Sequence, residues 1–124
     1  MGPWRSMNLA KTLVMLVRVV GLAAIVLGSL LWLGGHPGFL GPHIGAGFCV
    51  AMVVFVMSVI ALTRKAVVPG VIGVLLSLLL PMVGFMQLPL VARSMGAIQV
   101  AHIAIALTII GVGERLYSAI QRAS

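Results

Sequence analysis

The feature that most constrains the fold is a set of four long apolar runs that take up most of the chain. With approximate bounds, they cover residues 13–33, 43–62, 67–88 and 97–117. A helix needs roughly 20 apolar residues to cross the hydrocarbon of a bilayer, so each run has the length of one span. The runs show no alternation of polar and apolar residues, which disfavours a membrane β-barrel. The sequence therefore predicts an all-α, integral membrane four-helix bundle with up-down topology.

The composition indicates that lipid is the solvent of this chain. Hydrophobic residues make up 62% of the sequence and charged residues 7%, and the mean hydropathy is +1.28. In a soluble domain, roughly a quarter of the residues are charged. This chain has far fewer, so it cannot cover itself with a polar surface in water. The segments between the runs are short. Residues 1–124 are therefore predicted to form a single transmembrane domain with no soluble catalytic domain.

The distribution of charge predicts an orientation in the membrane. The chain has eight basic residues and a single acid, Glu114, for a net charge of +7. The basic residues are scattered near helix ends, so we do not expect nucleic acid as a partner. Seven of them fall on the side that holds both termini, and only Arg93 falls on the other side. The positive-inside rule then predicts cytoplasmic termini, with a bacterial inner membrane as the expected location.

The histidines are the main candidates for chemistry. His36 and His43 lie in the glycine- and proline-rich break over residues 34–47, and His102 lies early in the fourth run. His43 opens the second run, which is parallel to the fourth, so His43 and His102 are expected at the outer side. Polar side chains inside spans are costly and usually face the bundle interior or a cavity. His36, within a turn, is expected to be a solvated loop residue.

The pair His43 and His102 predicts a haem site. Two neutral imidazoles from different helices can ligate one haem iron from opposite faces. Gly47 lies one turn after His43, and Ala106 lies one turn after His102, so both helices leave room for a flat macrocycle. Arg93 is expected on the same side, where it can pair with haem propionates. These five residues form the predicted cofactor site, with the two histidines as metal ligands.

The four spans and the pair His43/His102 resemble the small four-helix b-type membrane cytochromes, such as the cytochrome b561 group and the haem-bearing anchors of succinate dehydrogenase. The resemblance implies haem b near the outer leaflet and electron transfer to or from quinone or a small redox partner. Such a chain acts as an electron-transfer protein or within a membrane oxidoreductase. The diheme b561 pattern needs four ligand histidines, whereas this chain has three, so one haem per chain is expected.

Structural roles are the alternative for both histidines. His43 can be a helix-start residue in the headgroup zone, and His102 can form an interhelical hydrogen bond, to Gln99 or to a backbone carbonyl. His102 lies about four to seven residues inside its span. At a rise of about 1.5 Å per residue, the two histidines should differ in depth by roughly 6–10 Å, which weakens the haem hypothesis.

The alternative function is a small transporter or channel subunit that acts as an oligomer. Four-helix small multidrug transporters carry an essential acid in the first span, whereas the acid here, Glu114, lies in the fourth. Arg18 in the first span lies toward the same side of the membrane, so an Arg18–Glu114 ion pair is expected. A homo-oligomer is expected under either function.

A copper site is a further alternative. Met82, Met86 and Met95 lie at or near the outer side, and their thioethers together with imidazole and the Cys49 thiol suit Cu(I). Methionine is also an ordinary filler of apolar cores. The single cysteine excludes an internal disulfide and a CxxC redox motif.

Overall fold

The computed structural model describes residues 3–88 and 96–123, with side chains described from residue 8 onward. It contains four packed antiparallel helices, each long and apolar enough to cross a membrane. These are α1 (Pro3–Trp32), α2 (Leu40–Thr63), α3 (Val67–Met86) and α4 (Gly96–Arg122), with a short 3-10 helix at Pro37–Phe39. The predicted all-α four-helix membrane bundle is confirmed.

Alternation of helix direction gives the bundle two chemically different ends. The start of α1, the connection between α2 and α3 and the end of α4 share one end, here termed the termini end. The opposite end, termed the histidine end, contains the connection from α1 to α2 and the starts of α2 and α4. Both predicted ligand histidines therefore belong to one end of the bundle.

The helices extend beyond the apolar runs at the termini end. α1 begins at Pro3 and α4 continues to Arg122, whereas hydropathy placed the corresponding span limits at about residues 13 and 117. Polar and basic residues can continue a helix outside the hydrocarbon, so a hydropathy window reports the span rather than the whole helix. α3 continues through Pro81 as one helix and ends at Met86.

The tightly packed core occupies the half of the bundle nearer the termini end. Among the described residues, buried positions in α1 end at Gly21, while those in α2 begin at Val50 and those in α4 at Ile109. In the absence of a hydrophobic driving force within lipid, such close packing holds the helices together. The fully buried side chains of this core are Val14, Val17, Val54, Met57, Ile109, Leu116 and Ile120.

Small residues set the spacing between α2 and α3. A Cβ atom at Gly73 would collide with the Oγ atom of Ser58 and lie 3.0 Å from Cδ1 of Leu116. The Ser58 hydroxyl is fully buried and donates a hydrogen bond of 2.7 Å to the carbonyl of Val54. Gly73 therefore lies on a helix-contact surface of α3, as expected for helices that pack in lipid.

One ion pair joins α1 to α4. The guanidinium of Arg18 donates from Nε to Oε1 of Glu114 at 2.6 Å and from Nη2 to Oε2 at 2.8 Å. This bidentate geometry matches the planar fork of arginine to both carboxylate oxygens. The pair expected from the sequence is confirmed, and the two side chains are 49% and 41% exposed.

A tight turn connects α2 to α3. Lys65 adopts a left-handed conformation with φ of 63°. Its N–H donates to the carbonyl of Leu62 at 3.0 Å, and the N–H of Ala66 donates to the carbonyl of Ala61 at 2.9 Å. These two bonds form a Schellman motif, which normally has glycine in the left-handed position. The turn reverses the chain within three residues and places α3 beside α2.

Candidate functional site: a histidine pair in an apolar cavity

The structure brings His43 and His102 together at the histidine end. Their ring centres lie 6.1 Å apart, and the ring planes meet at 70°. His43 lies in the first turn of α2, directly after Pro42, whose fixed φ suits that position. His102 lies almost two turns into α4. α2 begins at Leu40 and not at His43 as the sequence predicts, and the expected difference in depth does not separate the rings.

A backbone carbonyl of α1 orients His43. Its Nδ1 atom lies 2.8 Å from the carbonyl oxygen of Ala24. A carbonyl oxygen can only accept, so Nδ1 carries a proton, and in the neutral form of the imidazole the lone pair is on Nε2. Metal-bound histidines commonly donate their second ring N–H to a backbone carbonyl in this way. His43 is therefore held in the tautomer that a ligand through Nε2 requires.

Gly28 makes the contact between His43 and Ala24 possible. A Cβ atom at Gly28 would lie 2.8 Å from Cε1 of the His43 ring. Helical side chains point back over the preceding turn, so a side chain at this position would cover the carbonyl four residues earlier. Glycine leaves that carbonyl open to a second hydrogen bond.

His102 lies against α3 in a similar manner. A Cβ atom at Gly84 would lie 3.3 Å from Cε1 of the His102 ring, so this ring also fits over a glycine of the preceding helix. The Nδ1 atom of His102 is buried and has no hydrogen-bond partner within residues 3–88 and 96–123. Within those residues, Nδ1 of His102 therefore does not form the interhelical hydrogen bond that would indicate a purely structural role.

The two histidines line an apolar cavity of about 380 Å³ between the four helices. Every helix contributes to its wall, and the packed core closes it toward the termini end through Val50 and Ile109. Besides the histidines, the described residues that line it include three with polar side chains, Ser29, Gln87 and Gln99. The apolar wall includes Ala24, Ile25, Trp32, Ile44, Phe48, Leu80, Phe85, Ile103 and Ile110.

The two small residues that the sequence pairs with the histidines also line this cavity. Gly47 and Ala106 are both in its wall. A Cβ atom at Gly47 would meet nothing within 4 Å, so open space lies beside this part of α2. Arg93, the expected partner of haem propionates, lies outside the described residues.

Several residues of the site are missed by sequence reasoning. Ala24, Gly28 and Gly84 are small residues inside apolar runs, which predicts close helix contacts but not contacts with histidines. Phe48 and Phe85 also line the cavity, with ring centres 5.7 Å apart. Phenylalanine in a membrane span gives no local signal that separates a lipid-facing ring from a cavity wall.

His36 has a structural role outside the cavity. Its Nδ1 atom accepts a hydrogen bond of 3.0 Å from the N–H of Gly38 and caps the 3-10 helix Pro37–Phe39. The side chain is exposed, as the sequence predicts for a loop histidine.

The residues proposed for copper do not join the histidine pair. Met82 and Met86 are more than half exposed, and Cys49 is exposed as well. None of these three lines the cavity among the described residues, and Met95 lies outside them. Across the described ranges, no group of three or more His, Cys, Asp or Glu side chains can hold a metal ion. Among the described residues, the candidate metal ligands that line this cavity are the imidazoles of His43 and His102.

The spacing of the imidazoles suits ligation of one metal from two sides. Metal–nitrogen bonds of about 2.0 Å on opposite sides of an ion place the ring centres roughly 6 Å apart. The observed separation of 6.1 Å agrees with this value. Two protein ligands leave the remaining coordination positions to a non-protein ligand, such as the four nitrogens of a macrocycle.

No protein-family model, curated protein or solved structure matches this chain. The structure shows a four-helix all-α protein with four candidate membrane spans, and no family is identified.

Proposed function

We propose that this protein is a b-type membrane cytochrome in which His43 and His102 would hold one haem b. The observation that supports this most is the meeting of the two imidazoles, 6.1 Å apart, in an apolar cavity. When bound, haem supplies reversible one-electron transfer at its iron. The protein residues supply ligands, orientation and exclusion of water.

The proposed division of roles follows from the surroundings of each histidine. His43 ligates through Nε2, because its Nδ1–H is held by the carbonyl of Ala24. His102 is the partner ligand from the parallel helix α4. Hydrogen bonding of a ligand imidazole to a carbonyl increases its basicity and fixes the ring plane. The α1 backbone thus acts as a positioning group for the first ligand.

The distribution of packing supports a large apolar cofactor at this end. Most of the tightly packed core lies in the termini half, while the histidine half encloses the cavity. A macrocycle in the cavity would take the place of core side chains and complete the packing of the bundle. Gly47 and Ala106 are small residues in its wall. Arg93 is proposed to pair with the haem propionates.

The remaining parts of the proposal extend the predictions from the sequence. The termini end faces the cytoplasm of a bacterium, and the histidine end lies near the outer leaflet. Electrons pass between the haem and quinone or a small redox partner, and the protein assembles as a homo-oligomer. The basis for the orientation is the excess of lysine and arginine at the termini end.

The alternative, a small transporter or channel subunit, would use the single acid as its functional charge. Both carboxylate oxygens of Glu114 are bonded to Arg18. Glu114 is also absent from the wall of the cavity in the described part of the chain. The arrangement at the ion pair therefore favours the cytochrome proposal over a transport site.

The test is a visible spectrum with a haem assay. The protein is produced with a haem precursor in the medium, purified in detergent, and measured in oxidised and reduced forms. The proposal predicts a Soret band, a sharp α band on reduction, and one haem per chain. Protein that is folded by circular dichroism but has no Soret band, even after added haem, would contradict the proposal and favour the transporter alternative.

A further inference from the structure

Two phenylalanines belong to the part of the cavity wall between α2 and α3. Phe48 of α2 and Phe85 of α3 both line the cavity, and their ring centres lie 5.7 Å apart with the ring planes at 59°. Nearer the termini end, the same helices approach so closely that a Cβ atom at Gly73 would collide with the Oγ atom of Ser58. α2 and α3 therefore pack through small residues in one half and through an aromatic pair in the other.

Both rings also lie on the outward faces of their helices. Exposed apolar side chains recur along each helix at the spacing of one face, and each series includes one of the two phenylalanines. The series is Phe48, Met52, Phe55 and Val59 in α2, and Val71, Leu75, Leu78, Met82 and Phe85 in α3. Such faces contact lipid when the helices span a bilayer. Phe48 and Phe85 are 43% and 47% exposed, so this pair separates the cavity from the lipid.

A proline lies in α3 one turn before Phe85. Pro81 has no N–H, so α3 lacks the hydrogen bond that this position would otherwise give to the carbonyl of Ser77. Proline within a helix is a common point of bending. Bending at Pro81 moves the last turn of α3, with Phe85, relative to Phe48, while the contact between Gly73 and Ser58 stays in place.

The chemistry of this wall determines what can pass through it. A largely apolar molecule can slide between aromatic rings, whereas a charged solute would have to lose its hydration without gaining a partner. We propose that Phe48 and Phe85 form a lateral entrance through which a flat, largely apolar ligand dissolved in the bilayer enters the cavity. The entrance opens when α3 bends at Pro81 and the two rings separate. This inference rests on the proposed function in taking the cavity as a ligand site, with haem as the member of this ligand class.

The experiment measures access to a cysteine in the cavity, with the full chain reconstituted in lipid vesicles. Cys49→Ser removes the native thiol, and Ala106→Cys introduces a thiol in the cavity wall. The protein is treated with N-pyrenylmaleimide, which dissolves in the bilayer, or with a charged, water-soluble maleimide. We expect the pyrene reagent to react severalfold faster than the charged one. Replacement of Phe48 and Phe85 by alanine should accelerate the pyrene reagent severalfold and leave the charged reagent unchanged.

Three further variants make this test specific. Phe55→Ala is the matched control and should react like wild type, because Phe55 lies on the same outward face of α2 but outside the described lining of the cavity. Pro81→Ala should slow the pyrene reagent, because α3 regains a backbone hydrogen bond at the bend. Phe85→Leu, a smaller change, should accelerate this reagent to a lesser extent and takes the place of the double variant if that variant does not fold.

The outcomes separate the entrance from the binding of haem. Equal pyrene labelling of wild type and the phenylalanine variants, or faster labelling by the charged reagent, would overturn the entrance. A wild-type rate in Pro81→Ala would overturn the role of bending in α3. Protein that labels as expected but binds no haem would contradict the cytochrome proposal alone.

Discussion

The Nδ1 atom of His43 in α2 lies 2.8 Å from the carbonyl oxygen of Ala24 in α1, across the gap that Gly28 leaves. This contact links the glycine at position 28 to the protonation of the His43 ring in two steps. The missing side chain exposes a helix carbonyl, and the carbonyl then fixes the tautomer of the imidazole. The lone pair on Nε2 then remains available, as the proposed ligation of haem by His43 requires.

Gly28→Ala tests this relationship. The added Cβ would lie 2.8 Å from Cε1 of His43, so the ring has to move and its bond to Ala24 lengthens or breaks. We expect reduced haem content and a shifted Soret band in the haem that remains, measured in detergent after reconstitution. Gly45→Ala is the matched control, because a Cβ there meets nothing within 4 Å. Wild-type occupancy and spectrum in Gly28→Ala would show that His43 does not need this carbonyl.

Gly73→Ala tests the packing of α2 on α3. The new methyl group would collide with the Oγ atom of Ser58, so the two helices have to separate. Overpacking of this kind typically destabilises by about 1–3 kcal/mol, which we expect in unfolding titrations with a denaturing detergent. Gly111→Ala is the control, since that position is exposed and has nothing within 4 Å of a Cβ. Equal stability of the two variants would remove this contact as a determinant of the bundle.

Glu114→Gln tests the ion pair between α1 and α4. The substitution leaves Arg18 without its counter-ion in a largely apolar environment, where an unpaired charge is costly. We expect a lower melting temperature in detergent than for wild type, whereas Arg115→Gln, at the adjacent exposed position, should change it little. If the two variants melt alike, the bidentate contact does not stabilise the protein.

The orientation of the bundle is tested with a reporter at the C-terminus. Seven of the eight basic residues lie toward the termini end, which predicts that this end stays in the cytoplasm. A green fluorescent protein fusion should fluoresce, and an alkaline phosphatase fusion at the same position should be inactive. Active alkaline phosphatase with a dark fluorescent fusion would reverse the proposed orientation and place the histidine end inside.

Much of the fold is predictable because lipid imposes simple rules. The length of the apolar runs predicts four spans, and the alternation of direction places His43 and His102 at one end. Alternation also places Arg18 and Glu114 toward the other end, where the structure forms their ion pair. Each of these inferences uses only position along the chain.

The contacts that define the site depend on helix rotation and offset, which the sequence does not encode locally. A small residue such as Gly28 predicts a close approach but not the identity of the side chain that approaches. The expected difference in depth between His43 and His102 assumed that α2 and α4 start at one level. The two rings nevertheless lie together, and only the packed structure reveals this contact.

Carbon monoxide binding to reduced protein with single histidine substitutions is the most direct test of the central claim, that His43 and His102 share one haem. With both axial ligands present, wild type should bind carbon monoxide poorly. His43→Ala and His102→Ala should each lose haem or show a clear carbon monoxide difference spectrum, because one coordination position becomes open. His36→Ala, which changes an exposed loop histidine, should behave like wild type. Loss of haem in His36→Ala with wild-type spectra in the other two variants would contradict the account.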